Sequence, residues 1–197
     1  MSKTYIKNFY NRDRLALTSL SKCGHCSRSN LNTYIADKRI KNYVRDNLIT
    51  KEVFNKNNGE QIVAYKLTTQ GREFLEKEWN IKNHYIAQSV VHDLGIANKY
   101  FSLTDSEKES WKTETEIRQE FREKLEELRE SNISRYREIN TLLEHKQISV
   151  PDCSYTTEKG VEVYFEVMTN SYGEQEIESK ERFVEFMNIK SYEIERV

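Results

Sequence analysis

Cys23-Gly24-His25-Cys26 places two thiols and an imidazole within four residues. In form this is a thiol–disulfide exchange motif, in which a helix N-terminus lowers a thiol pKa and makes it nucleophilic. That chemistry needs the motif to follow a strand and open a long helix, whereas here Lys22 precedes it at the end of a helical stretch. As a zinc site it is half a set. The other cysteine is Cys153, and His84, His92 and His145 are not at ligand spacing. The expectation is two thiols in a turn between two helices. His92-Asp93 offers a base beside an orienting carboxylate, but neighbours on a helix point in different directions, so both are expected on a helix surface. No Gly-rich phosphate loop or Ser/His/Asp arrangement stands out.

The elements that would position any chemistry are framed by charge. Over 197 residues the net charge is −1, with 32% charged and 37% hydrophobic residues, six glycines and one proline, which excludes collagenous and Pro/Gly-rich disordered classes. Cutting the chain at His84 exposes an asymmetry. Residues 1–83 carry 16 Lys+Arg against 8 Asp+Glu, net about +8, and residues 84–197 carry 15 against 24, net about −9. The basic half is the candidate for a polyanion, and the acidic half could meet a protein partner. No apolar run approaches the ~18 residues of a membrane span, Met-Ser-Lys-Thr-Tyr-Ile lacks the plan of a signal peptide, and three cysteines do not make a disulfide framework. A cytoplasmic protein without a membrane partner is expected.

In the basic half, Leu15, Leu17 and Leu20 mark a short helix over Arg12–Ser21, and Ser27 can cap a second over Ser29–Ile35. Ala36–Leu48 follows with Ile40, Tyr43, Val44 and Leu48 on one face and Lys38, Arg39, Lys41, Asn42 and Arg45 on the others. Ile49–Phe54 and Gln61–Leu67 then read as a hairpin whose tip, residues 55–60, contains Asn-Gly. Another helix opens at Thr68 or Thr69. The string Tyr65-Lys66-Leu67-Thr68-Thr69-Gln70-Gly71 after a hairpin, with Asp46-Asn47-Leu48-Ile49 before it, resembles a winged helix-turn-helix domain spanning residues 1–83. Short polar and basic side chains on one helix suit a major groove, and a basic hairpin tip suits an adjacent backbone. Arg28, Lys38, Arg39, Lys41, Asn42, Arg45, Lys51, Lys56, Asn57 and Asn58 are therefore the candidate contacts to double-stranded DNA.

In the acidic half, His84–Phe101 is a helix, Trp111–Thr115 a short strand, and Ile117–Leu143 a long charged helix with a weak point at Ser131-Asn132-Ile133-Ser134. Its narrow apolar stripe suits an arm over 116–145 that either folds back or forms the seam of a homodimer. Pro151 stops it. Asp152–Thr157 and Val161–Met168 read as strands joined by Glu158-Lys159-Gly160, then come a helix over Gln175–Asn188 and a strand over Ile189–Val197. Val161, Val163, Phe165 and Val167 alternate with Glu162, Tyr164, Glu166 and Met168. The fold class expected for the whole chain is α+β.

The order of elements over 84–197, together with Pro151-Asp152 and Glu166, resembles the PD-(D/E)xK nuclease-like fold. Joined to a winged helix it is similar to the replication-relaxation family of mobile elements, plasmids and phage, over roughly residues 10–190, with Trp111, Glu114 and Glu116 fitting that family's segment before the proline-aspartate strand. The resemblance implies a site in which Asp152 and Glu166 hold Mg²⁺ and a lysine steadies the transition state, with Glu114 and Glu116 nearby. Active nucleases of the fold carry that lysine two positions after the glutamate. Here that position is Met168, so the site is incomplete unless Lys180 or Arg182 on the following helix substitutes. The expectation is a DNA-binding protein that recruits partners for replication, transfer or transcriptional control, with an inactive nuclease-like domain and no cofactor. A dimeric winged-helix regulator and a Mg²⁺-dependent endonuclease are the alternatives.

Overall fold

The computed structural model describes residues 4–55, 59–170 and 172–197. Lys56, Asn57 and Asn58 at the hairpin tip lie outside them. The chain is α+β and divides into two units, 1–103 and 104–197.

The first unit begins with α1 (Asn11–Cys23), β1 (His25–Ser27), α2 (Arg28–Asn32) and α3 (Asp37–Arg45). It continues through β2 (Ile49–Asn55), β3 (Gln61–Leu67), α4 (Thr69–Trp79) and α5 (Val90–Ser102). The three strands form an antiparallel sheet in the order β1-β3-β2, with His25 opposite Lys66 and Ile49 opposite Leu67. The Cys-Gly-His-Cys run is therefore not an interhelical turn. Gly24, at φ +76°, ends α1 and sends the chain into a strand, so Cys23 and Cys26 are fully buried on either side of it. A Cβ at Gly24 would lie 2.6 Å from the Asp93 carboxylate.

α3 stops three residues before the expected Leu48. Asn47 adopts φ +55° and the Leu48 amide returns to the Tyr43 carbonyl, the left-handed ending that asparagine tolerates. The Thr68–Gly71 string then clamps α4 to this corner. Thr68 caps α4 by accepting from the Gly71 amide, and its own amide donates to the Leu48 carbonyl. Gly71 is required because a Cβ there would meet the Leu48 carbonyl oxygen at 2.0 Å.

The division between the units falls at Leu103, not at His84. Tyr85 donates its amide to the Ser21 carbonyl, Asp93 reaches His25, and Phe101 packs on Tyr34, so α5 completes the first unit's core. The charge split survives the move, since residues 84–103 add one lysine and one aspartate.

The second unit comprises α6 (Asp105–Glu109), β4 (Lys112–Thr113), α7 (Glu114–Ser131), α8 (Ile133–Glu144), β5 (Cys153–Thr156), β6 (Glu162–Met168), α9 (Glu174–Met187) and β7 (Tyr192–Arg196). The sheet runs β4-β5-β6-β7, antiparallel except for β6 and β7, which are parallel and joined through α9. The expected long helix breaks at Asn132, whose side chain caps α8. The two halves double back. Leu125 and Ile139 share one buried cluster with Phe121 and Phe183, and Arg129 lies over Tyr136. The apolar stripe read as an arm or dimer seam is thus consumed inside the unit. Phe183 of α9 meets Phe121 of α7 and Tyr164 of β6, and removing so buried a ring costs about 3–5 kcal/mol. Among the described residues no helix is long and apolar enough to cross a membrane.

Candidate functional site

The second unit gathers its chemistry on the helix-covered face of the sheet. Glu166 lies two residues after Tyr164 along β6, so the two share a face, and both meet α9. Asp152 precedes β5, the neighbouring strand. Its amide donates to Glu166 Oε2 at 3.1 Å, and its Oδ2 accepts from the Val167 amide at 2.8 Å. Lys180, one turn before Phe183 on α9, brings Nζ to 2.8 Å from Glu166 Oε1 and 2.6 Å from the Val150 carbonyl. The Tyr172 hydroxyl donates to the same Oε1 at 2.8 Å. Asp152, Glu166 and Lys180 are all buried, at 3%, 0% and 8% exposure.

Glu166 faces one ammonium, from Lys180, and has a second buried carboxylate, Asp152, as its neighbour. Burial, and then the neighbouring Asp152, push the Glu166 carboxyl up to about 7, against the opposing pull of Lys180 and Tyr172. The Tyr172 and Tyr192 hydroxyls are also pushed up, by burial first and then by the same carboxylates. Asp152 and Glu166 are the two oxygen donors that a hard divalent cation would use here. Met168 is buried and offers no oxygen.

Lysine reaches this site from the helix, and the inward spacing of Lys180 and Phe183 on α9 is the sequence signal for it. Arg182 instead donates to the Gln147 carbonyl and pairs with Glu178. Glu114 and Glu116 do not join. Glu116 accepts from the Thr113 amide and hydroxyl, at 2.7 and 2.9 Å, as a helix cap, and Glu114 pairs with Arg118. Among the described residues no group of three or more His, Cys, Asp or Glu is placed to hold a metal.

In the first unit, Lys38, Lys41 and Arg45 are exposed on α3 and Asn42 is half-buried beside them. Lys51 is exposed on β2, and Arg28 is exposed and paired with Asp37 at the start of α3. Arg39 belongs elsewhere. Its guanidinium forks onto the buried Asp13 of α1, at 2.8 Å to each oxygen, and Tyr43 donates to the same carboxylate. Burial alone would raise Asp13, but the bonds from Arg39 and Tyr43 outweigh it and hold the carboxyl below its ordinary range. Arg39 therefore fastens α3 to α1 and is withdrawn from the DNA-contact set.

A second buried cluster was not legible in the sequence. His25 Nδ1 lies 2.7 Å from Asp93 and its Nε2 lies 3.2 Å from Glu52, which also pairs with Lys66 at 2.6 Å. His92 and Asp93, read as surface residues, are 3% and 0% exposed, and His92 Nδ1 is 3.3 Å from Asp93. Held by a carboxylate at each nitrogen, His25 ties β2 to α5. In comparisons with known proteins, no protein-family model, curated protein or solved structure matches this chain.

Proposed function

We propose that the chain is a DNA-binding protein whose first unit is a winged helix and whose second is a PD-(D/E)xK-like domain. The observation that carries the reading is the exposed row Lys38, Lys41 and Arg45 on α3, within a helix–strand–helix–helix–hairpin order closed by the β1-β3-β2 sheet. α3 enters the major groove, Lys51 and the hairpin flank it on the backbone, and Asp13–Arg39 fixes the helix from behind. A role in replication, transfer or transcriptional control of a mobile element belongs to this proposal through the family resemblance. The full chain should bind duplex DNA at low salt and lose orders of magnitude in affinity at moderate salt. No binding at low salt removes the reading.

A second reading, a metal-dependent phosphodiesterase, is favoured by the convergence of Asp152, Glu166 and Lys180. A bound divalent ion would polarise the phosphate and activate water. Asp152 and Glu166 would hold the ion, with Tyr172 orienting Glu166 and Lys180 placing positive charge beside it. Nicking of supercoiled plasmid with Mg²⁺ or Mn²⁺ that vanishes in Asp152→Ala supports it. Intact plasmid leaves the second unit as a scaffold.

A further inference from the structure

Residues 4–10 precede α1 as a segment without regular secondary structure, fastened to the first unit. The Tyr5 and Ile6 amides each donate to the Asp46 carboxylate at 2.8 Å, and Arg39 donates to the Asn8 carbonyl at 2.6 Å. Phe9 packs against Phe74 and Trp79, with ring centroids 4.4 and 6.0 Å apart. Between this segment, the end of α3 and the start of α4 lies a cleft of about 330 Å³. Ile6, Phe9 and Phe74 give it an apolar, largely aromatic lining, the amides of Asn47 and Gln70 contribute its polar side, and Arg45 completes the wall. Tyr5 stands beside it 42% exposed, with the Arg45 guanidinium 5.0 Å from its ring centre.

We propose that this cleft takes an unpaired nucleotide of a strand that continues from the duplex on α3. The inference rests on the duplex-binding reading and adds a ligand to it. Arg45 lies seven residues after Lys38, two helical turns along the same row, so a backbone following that row arrives at the cleft. There the parts match one nucleotide. An aromatic lining accepts the face of any base, primary amides meet a base edge, and a guanidinium meets its phosphate. The one acidic group present, Asp46, has its carboxylate bonded to two backbone amides. Asn47 and Gln70 are exposed and bond each other at 3.1 Å, an exchangeable pair that a base edge can replace.

The test compares the full chain on a blunt duplex and on the same duplex with a short single-stranded tail at either end, by fluorescence anisotropy. The expected preference for one tailed form is about tenfold, within the range of one base–aromatic stack. It should fall to about onefold in Tyr5→Ala/Gln70→Ala and persist in Tyr5→Phe, and a fluorescent adenine analogue at the first unpaired position should be quenched on binding. A wild-type ratio near one overturns the inference, as does a preference that survives the alanine pair. Failure to bind either DNA overturns the duplex reading and this inference with it, whereas equal binding to both leaves the duplex reading standing alone.

Discussion

Each unit buries a carboxylate against a cation and a tyrosine hydroxyl, and the two clusters titrate in opposite directions. Asp13 is bonded by Arg39 and Tyr43 and is held below its ordinary pKa. Glu166 has Lys180 and Tyr172 but shares them with the charge of Asp152, and is pushed up to about 7. The difference is one extra negative charge. A balanced cluster holds a helix in place, whereas an unbalanced one is poised to take up a proton or a metal ion.

The largest effect that sharpens this contrast is on folding. Asp13→Asn leaves the Arg39 guanidinium, 20% exposed, without its ion partner, and should destabilise the protein by about 3 kcal/mol in urea denaturation at pH 7. Glu166→Gln removes one of two like charges and should cost less than about 1 kcal/mol under the same conditions. Equal losses would mean that both clusters are merely structural.

The pH dependence comes next. Glu166 releases its proton near 4.5 when unfolded and about 7 when folded, so the stability this proton confers is full below 4.5, declines through that window and is gone above 7. Its contribution to the slope is about 1.4 kcal/mol per pH unit at most. Thermal unfolding should therefore show a stability that falls from pH 5 to pH 7.5 more steeply in the wild type than in Glu166→Gln. Asp13 has the opposite sign, since its contribution is present above the ordinary 3.8 and lost only as pH falls below it. A wild type and Glu166→Gln with parallel profiles would contradict the charge imbalance.

A smaller effect should come from metal. Millimolar Mg²⁺ or Mn²⁺ should raise the Tm of the wild type at pH 7.5 by a few degrees and leave Asp152→Ala unmoved, because binding to the folded state alone stabilises it. An identical shift in both proteins would place the ion elsewhere.

What could be read from the residues divides by distance along the chain. The hairpin, the Thr68–Gly71 corner and the weak point at Asn132 rest on local turn and capping chemistry, and the structure places them where the residues predict. β1 escaped because three residues without alternation carry no strand signal, and it exists only through pairing with β3. Arg39 was misassigned because a helical wheel shows which side chains share a face but not that Asp13, 26 residues earlier, is buried opposite. His25 and Asp93 are 68 residues apart, and adjacency suggested only the pairing of His92 with Asp93. In the second unit, Asp152, Glu166 and Lys180, which the family resemblance singles out together with Arg182, lie next to one another. The engagement of Glu116 as a cap was not legible, although Thr113-Glu114-Thr115-Glu116 has the spacing of a capping box.

The most direct measurement is the salt dependence of duplex binding by the full chain, compared with Lys38→Ala/Lys41→Ala. Both lysines are exposed and take no part in the Asp13–Arg39 bond, so the variant should fold like the wild type. If α3 holds the backbone through them, the slope of log affinity against log salt should shrink by about 2, with weaker binding at every salt concentration. A slope and affinity unchanged by the double substitution would contradict α3 as the DNA-binding helix.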